Sequence, residues 1–274
     1  MRINGVKQSK GNVMLSAGDV LNFYISDEFF GGPEGEKVNA EGFLSVKPSF
    51  GVVYEDENII IVDKPVGLIS QSDEKESYNT LANHVKAYLY GKGEYDPLVE
   101  QSFAPALCNR LDKNTQGLVI AAKNAEALRV MNLKIKNREV KKTYLCLVYG
   151  TMSKKSDTLH AWLKKDAAGN QVTVSAERRP GYKEIITSYS VVETNGKVSL
   201  LRIGLQTGRT HQIRAHMAFI GHPLLGDTKY GKIKGERILL WAYEIEFKHP
   251  TKDEIMKFNC YPKNVGAWSA FKIQ

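Results

Sequence analysis

Cysteine is scarce in this chain and badly placed for the chemistry cysteine usually brings. Cys108, Cys146 and Cys260 are the only three in 274 residues, and no two form a CxxC pair. Neither a disulfide framework nor a zinc site is therefore indicated, and no adjacent base marks any of them as a thiolate nucleophile. Long apolar runs are missing too. Nothing approaches the ~20 residues that cross a bilayer, and the opening MRINGVKQSKGN has no signal-like apolar stretch, so a cytoplasmic location is expected. The surplus is positive charge. With 38 Lys and Arg against 30 acids, the net charge is +8, which favours polyanionic partners such as RNA, DNA or an acidic membrane surface. Hydrophobic residues at 42% and charged residues at 25% are ordinary for a folded protein. The basic residues cluster at Arg129, Lys134, Lys136, Arg138, Lys141, Lys142, Lys154 and Lys155, with Glu139 as the one acid among them. That cluster reads either as a solvated face or as a nucleic-acid footprint.

Punctuation and periodicity divide the chain into three. Residues 1–27 read as a small β unit (strand signals at 2–5, 13–15 and 20–25) punctuated by Gly5 and Gly18. Residues 28–50 carry several Gly and Pro with little periodicity and read as a linker. The main domain, 51–274, mixes strands at 59–62, 118–122, 144–149, 185–192, 198–205, 239–247 and 255–259 with fewer helices. Leu81, Val85 and Leu89 predict a helix over 79–90. Asn124 caps another, carrying Leu128, Met131 and Ile135, and a third falls at about 210–220. Asn195-Gly196 predicts a hairpin. Strands dominate and the helices do not alternate with them, so the expected class is α+β with a mainly antiparallel central sheet flanked by helices and loops.

Three polar segments invite a chemical reading. NRLDKNTQGL at 109–118 sets Asp112 between Arg110 and Lys113 in a turn that feeds an apolar strand; Asp112 is either a reactive carboxylate or an Asx-turn residue. LQTGRTHQIRAHM at 205–217 crowds polar groups at a helix start, which suits an anion site or a solvent face. His211 and His216 are five apart, which is not the spacing of paired zinc ligands on a helix. In KKTYLCLVYG at 141–150, Tyr144 is a core aromatic or a base-stacking platform beside Lys142. Lys64-Pro65-Val66-Gly67-Leu68 reads as a fixed structural turn.

Together and in this order, these segments, with GHPLLGDTKYG at 221–231, FKHPTKDE at 247–254 and DKPVGL at 63–68, resemble the RluA-type pseudouridine synthases over roughly residues 51–265. Residues 2–27 are similar to the second half of the alpha-L RNA-binding domain, without its helical first half. The resemblance implies the pseudouridine synthase catalytic fold and an RNA uridine isomerase acting on ribosomal or transfer RNA. It breaks the N1–C1′ glycosidic bond and rejoins the uracil through C5, with no cofactor or metal and as a monomer. It implies Asp112 as the catalytic carboxylate, Tyr144 as the active-site tyrosine and Arg214 as the cation that keeps Asp112 charged through an Arg–carboxylate fork. Arg110, Thr115, Lys142, Arg209, His211 and Ile213 follow as substrate-binding residues, and the basic cluster as a holder of RNA phosphates. Asn109, Gln116, Gln71 and Trp241 depart from the family pattern, which bears on substrate choice. Two rivals stand beside this reading: a non-catalytic RNA-binding protein on the same fold, and a glycoside or nucleoside hydrolase, for which Asp227 is the nearest second carboxylate.

Overall fold

The computed structural model describes residues 2–7, 13–22, 42–73, 75–100, 102–166, 171–231, 237–263 and 265–273. The chain divides into two compact units, Met1–Gly42 and Phe43–Gln274. In the small unit, β1 (Arg2–Ile3) pairs antiparallel with β2 (Val6–Lys7) and β3 (Leu21–Asn22). Asn4 and Gly5 turn the first hairpin, both at positive φ, as a tight two-residue loop requires. The Asn4 side chain ties the turn to the far strand, donating to Asp19 Oδ1 at 2.7 Å and accepting from Val20 N at 2.8 Å. The strand expected at 13–15 does not form, and Phe23–Ile25 lie outside the described residues, as does most of the expected linker. The larger unit begins at Phe43 rather than Gly51, because Phe43 is buried against the rings of Tyr90 and Tyr95 and Phe50 packs on Tyr88.

The larger unit is built on one extended sheet. Its strands are β4 (Gly51–Glu55), β5 (Ile59–Lys64), β6 (Ala106–Leu107), β7 (Gln116–Ala122), β8 (Lys141–Tyr149), β9 (Ser156–Lys165), β10 (Val172–Ser175), β11 (Lys183–Thr194), β12 (Val198–Leu205), β13 (Leu240–Lys248) and β14 (Ile255–Asn259). The order is β10-β9-β11-β12-β8-β13-β7-β5-β4, with β14 on β13 and β6 on β7. Among the described residues every pair is antiparallel except β13 with β7. The molecule is thus α+β with a mainly antiparallel sheet.

Among the described residues three α-helices pack on it. Thr80 caps α1 (Leu81–Gly91) by accepting from Asn83 N, and Asn124 caps α2 (Ala125–Lys136) by accepting from Ala127 N. The third, α3 (Gln212–Phe219), starts later than its polar lead-in suggests, because His211 takes a left-handed conformation with φ 53°.

Strand alternation assigns the helices to faces. Ile60, Val62, Val119, Ala121, Tyr144, Cys146, Leu201 and Ile203 share one core with Leu81, Val85 and Leu89 of α1 and Ile213 and Met217 of α3. Ile59, Ile61, Leu118 and Ile120 point the other way and pack on Ala127 and Met131 of α2. The basic helix α2 therefore lies on the opposite face of the sheet from Tyr144 and Ile213. The expected single basic surface spanning 129–155 is split, and Lys134 and Lys141 in it already pair with Glu139 and Glu246.

Candidate active site

The segment 109–115, between β6 and β7, is pinned on both sides of Asp112. Asn109 turns inward, and its side-chain oxygen accepts from Ile120 N at 2.9 Å. The Ser70 hydroxyl both donates to Leu111 O at 2.8 Å and accepts from Leu111 N at 3.0 Å. Beyond Asp112, Gly67 N donates to Lys113 O at 2.9 Å and buried Thr115 donates its N–H to Asp112 O at 3.0 Å. Two backbone strips, 67–70 and 109–120, thus hold the Asp112 carboxylate at a fixed point of a rigid scaffold. Its side chain is 33% exposed, open to a ligand yet half shielded from water.

Lys64 braces the Asp112 loop from the core side, and sequence reasoning missed it. As the last residue of β5 it alternates onto the same face as Ile60 and Val62, and it is 0% exposed. Its ammonium donates to the carbonyls of Pro65 at 2.9 Å, Leu68 at 2.7 Å and Lys113 at 3.3 Å. Burial pulls its pKa down to about 8, against the opposing charges of Asp112 and Asp63. The available signal was a lysine completing the otherwise apolar buried side of IIIVDK.

Arg214 and His211 approach Asp112 from the start of α3. Arg214 Nη1 and His211 Nε2 each lie 3.8 Å from Asp112 Oδ2, ion-pair range but too long for a hydrogen bond. The guanidinium fork goes elsewhere. Nε donates to Asp227 Oδ2 at 2.7 Å and Nη2 to Asp227 Oδ1 at 2.9 Å. The expected Arg214–Asp112 fork is thereby corrected: Asp227 takes it because its side chain is 0% exposed and must be neutralised. Asp227 Oδ1 also accepts from the N–H groups of Lys229 at 3.0 Å and Tyr230 at 3.2 Å. Burial works to raise the Asp227 carboxyl, but Arg214 and those two N–H groups hold it below its usual range. A carboxylate so enclosed has no exposed oxygen for substrate or water, so Asp227 does not supply the second working acid of a hydrolase.

Tyr144 is 7% exposed, and burial together with the charge of Asp112 raises its hydroxyl well above the ordinary range. It stays a neutral phenol at pH 7. Ile213, buried in the same core cluster as Tyr144 and Leu111, completes the apolar wall. Arg110 is exposed at the rim, where Nη1 reaches Gln71 Oε1 at 3.4 Å; Arg209 is exposed at the turn before α3. Lys142 sits two residues before Tyr144 on the same side of β8, half-buried, with burial lowering its pKa; no contact ties it to Asp112. The turn leading into α3 is set by Gln212. Its Oε1 accepts from Thr207 Oγ1 at 2.9 Å and Arg209 N at 3.1 Å, while Nε2 donates to Ile186 O at 3.1 Å and Thr187 Oγ1 at 3.0 Å. Burial lowers the pKa of His216, behind it, to about 4, so that imidazole is neutral. Among the described residues no group of His, Cys, Asp and Glu is arranged to hold a metal ion, and no helix is long and apolar enough to cross a membrane.

One carboxylate open to solvent thus has a guanidinium and an imidazole within ion-pair range, close to the core that holds Tyr144 and Ile213, and such a carboxylate is equipped for acid–base or nucleophilic chemistry. Residues 58–219 match the RNA pseudouridylate synthase family. The chain is 36% identical to an Aquifex aeolicus protein called an uncharacterized RNA pseudouridine synthase, over 93% of this chain and 80% of that one. It is 31% identical to the ribosomal large subunit pseudouridine synthase D of Borreliella burgdorferi, over 71% of this chain and 60% of that one. Human RNA pseudouridylate synthase domain containing 1 superposes with a TM-score of 0.64 at 22% identity, covering 81% of this chain and 87% of that one, a likeness of fold. The chain belongs to the RNA pseudouridine synthase family, whose members are isomerases.

Proposed function

We propose that the protein isomerises particular uridines in ribosomal or transfer RNA, with Asp112 as the carboxylate that starts the reaction. What carries the reading is the placement of Asp112: a one-third-exposed carboxylate on a pinned loop, with Arg214 at 3.8 Å and its charge felt at Tyr144. The carboxylate either attacks C1′ or removes a sugar proton. The N1–C1′ bond breaks, the uracil turns, C1′ bonds to C5, the C5 proton departs and N1 regains one. Reactant and product are isomers, so the reaction consumes neither cofactor nor metal.

Tyr144 and Ile213 wall the base, and stacking on an aromatic ring is worth ~1–3 kcal/mol. The Tyr144 hydroxyl serves in the late removal of the C5 proton: as a neutral phenol it takes up that proton while giving up its own, which the Asp112 carboxylate accepts once C1′ has bonded C5. Arg110, exposed at the rim, fills the gap left by the extruded uridine. Thr115, Lys142, Arg209 and His211 contribute to holding the RNA, Thr115 by shaping the Asp112 turn. Residues 1–27 serve as a partial alpha-L-like RNA-binding unit, and the catalytic domain acts as a cytoplasmic monomer. The name of the Borreliella relative favours ribosomal RNA as the target. Pseudouridine mapping of total RNA from cells with and without the gene tests the whole. One or more sites should vanish on deletion and return with wild type but not with Asp112→Asn. Return of every site with Asp112→Asn would leave only RNA binding on this fold.

A further inference from the structure

His211 is the third charged or polar group at Asp112, and its setting is unusual in two independent ways. It holds a left-handed backbone conformation, φ 53°, at the head of α3. A non-glycine residue there is disfavoured and persists only where its surroundings enforce it. Here they do: Gln212 N donates to Arg209 O at 3.1 Å, Ala215 N donates to His211 O at 2.9 Å, and the Gln212 side chain ties the turn to β11. The imidazole is also fixed at its far edge. Nδ1 lies 2.8 Å from the Tyr230 hydroxyl, and the rings meet edge to face with centroids 5.7 Å apart. Tyr230 is itself held, since its oxygen accepts from Val172 N at 3.1 Å and its ring lies under Arg214, with the guanidinium carbon 5.2 Å from the centroid.

The hydrogen-bond inventory then chooses a tautomer. With Val172 N–H donating to the phenol oxygen, the acceptor left for the Tyr230 hydroxyl proton among its contacts is His211 Nδ1. A nitrogen that accepts carries no proton, so the proton of a neutral imidazole sits on Nε2, the atom 3.8 Å from Asp112 Oδ2. We propose that Tyr230 is a positioning residue that locks His211 as the Nε2–H tautomer, presenting an uncharged donor to Asp112. The inference rests on the reading of Asp112 as the reacting carboxylate. A shift of under about 1 Å would turn the present separation into a hydrogen bond, and catalytic contacts commonly tighten when substrate binds. The donor would hold one carboxylate oxygen and leave the other for the sugar. An imidazolium would instead add a second full charge beside Arg214 and weaken the carboxylate as base or nucleophile. Burial keeps the ring neutral, helped by the cations of Arg214 and Lys229 and opposed by Asp112 and Asp227.

Nitrogen-15 NMR of the histidine side chains in the full-length protein tests the tautomer without substrate. A protonated Nε2 and a bare Nδ1 at pH 7 are expected. A proton on Nδ1, or on both nitrogens, overturns the proposal. Tyr230→Phe keeps the ring under Arg214 and removes only the donor. It should raise the pH at which His211 becomes charged, move the acid limb of kcat upward with it, and lower kcat about three- to tenfold, the rate equivalent of one neutral hydrogen bond. An unmoved pH profile with unchanged kcat overturns the positioning role. His211→Gln, whose amide can place N–H near the Nε2 position, should retain more turnover than His211→Asn; the reverse order contradicts the proposal. Full turnover by Asp112→Asn would sink the reading of Asp112 instead, a result that the NMR distinguishes.

Discussion

Asp227→Asn separates the two jobs proposed for the Arg214–Asp227 fork, holding this corner of the fold and setting Arg214 beside Asp112. Asp227 receives four donors: Nε and Nη2 of Arg214 and the amides of Lys229 and Tyr230. Asparagine has one carbonyl oxygen to offer, and its amide N–H₂ must face groups that are themselves donors. Breaking a buried, hydrogen-bonded ion pair on one side costs about 3–5 kcal/mol. The lower figure corresponds to a fall in Tm of about 6–12 °C for a chain of this size. The second effect falls on catalysis. Arg214 and Asp112 at 3.8 Å attract by about 4 kcal/mol at an effective dielectric of about 20. Asp112 is one-third exposed, so solvent reduces this to about 1–2 kcal/mol. A guanidinium released from its fork loses that placement, and kcat should fall about five- to thirty-fold. The residues proposed to hold the RNA, such as Arg110, Lys142 and Arg209, are unchanged, so KM for RNA should stay within about twofold. Single-turnover release of tritium from RNA labelled at uridine C5, run well below the variant's Tm, reads kcat, because C5 loses its hydrogen when it bonds C1′. If the Tm falls while the rate stays within about twofold of wild type, the claim that Asp227 sets Arg214 for Asp112 is refuted. If the Tm does not move, the buried fork is not what stabilises this corner.

Other perturbations follow from the same geometry. Lys64→Met strips the donor from three carbonyls and should cost about 2–4 kcal/mol in urea unfolding, with a slower tritium release because Lys113 O anchors the Asp112 loop; unchanged stability would show that water replaces the ammonium. Gly117 sits at φ 112°, and a Cβ there would meet Ala242 O at 2.2 Å, so Gly117→Ala should break the parallel β7–β13 register and lower the Tm by well over about 5 °C. Acid stability should depend on Glu55 and Asp56. Burial alone would raise both carboxyls, but Lys123, Lys92 and Tyr88 at Glu55, and the Ile59 and Asn58 amides with His249 at Asp56, hold each at about 2. Folded values below the unfolded ones mean stabilisation that is complete above about pH 4.5 and lost as pH falls toward 2, about 2–3 kcal/mol for each group; Glu55→Gln should flatten that part of the urea-midpoint profile against pH.

How much of this was legible in the sequence depends on whether the signal was local. The Asn124 cap, the four-residue spacing of Leu81, Val85 and Leu89, the Asn195-Gly196 turn with Gly196 at φ 85°, and apolar runs such as Ile59–Val62 are short-range statements, and the elements formed where they pointed. Strand β9 went unread although it carried a signal, since Leu159, Ala161 and Leu163 alternate inward against Thr158, His160, Trp162 and Lys164, the period of a strand covered on one face. The face on which α2 lands is set by the crossover between β7 and β8, which no spacing within the helix encodes, and so its basic residues were expected to share one surface with those of β8. The partner of Arg214 was misread for a similar reason. Both Asp112 and Asp227 stand in the shared motifs, and which one takes the fork depends on which is sealed from water. Lys64 was hidden by its short polar context, although its place in the β5 alternation marked it as buried.

The central claim is that the Asp112 carboxylate performs the isomerisation. Purified wild type and Asp112→Asn should bind the target RNA with Kd values within about threefold of each other, since one carboxylate adds little to phosphate-driven affinity. Only wild type should release tritium from C5-labelled uridine and leave pseudouridine in the product. Release by Asp112→Asn at the wild-type rate would contradict the account.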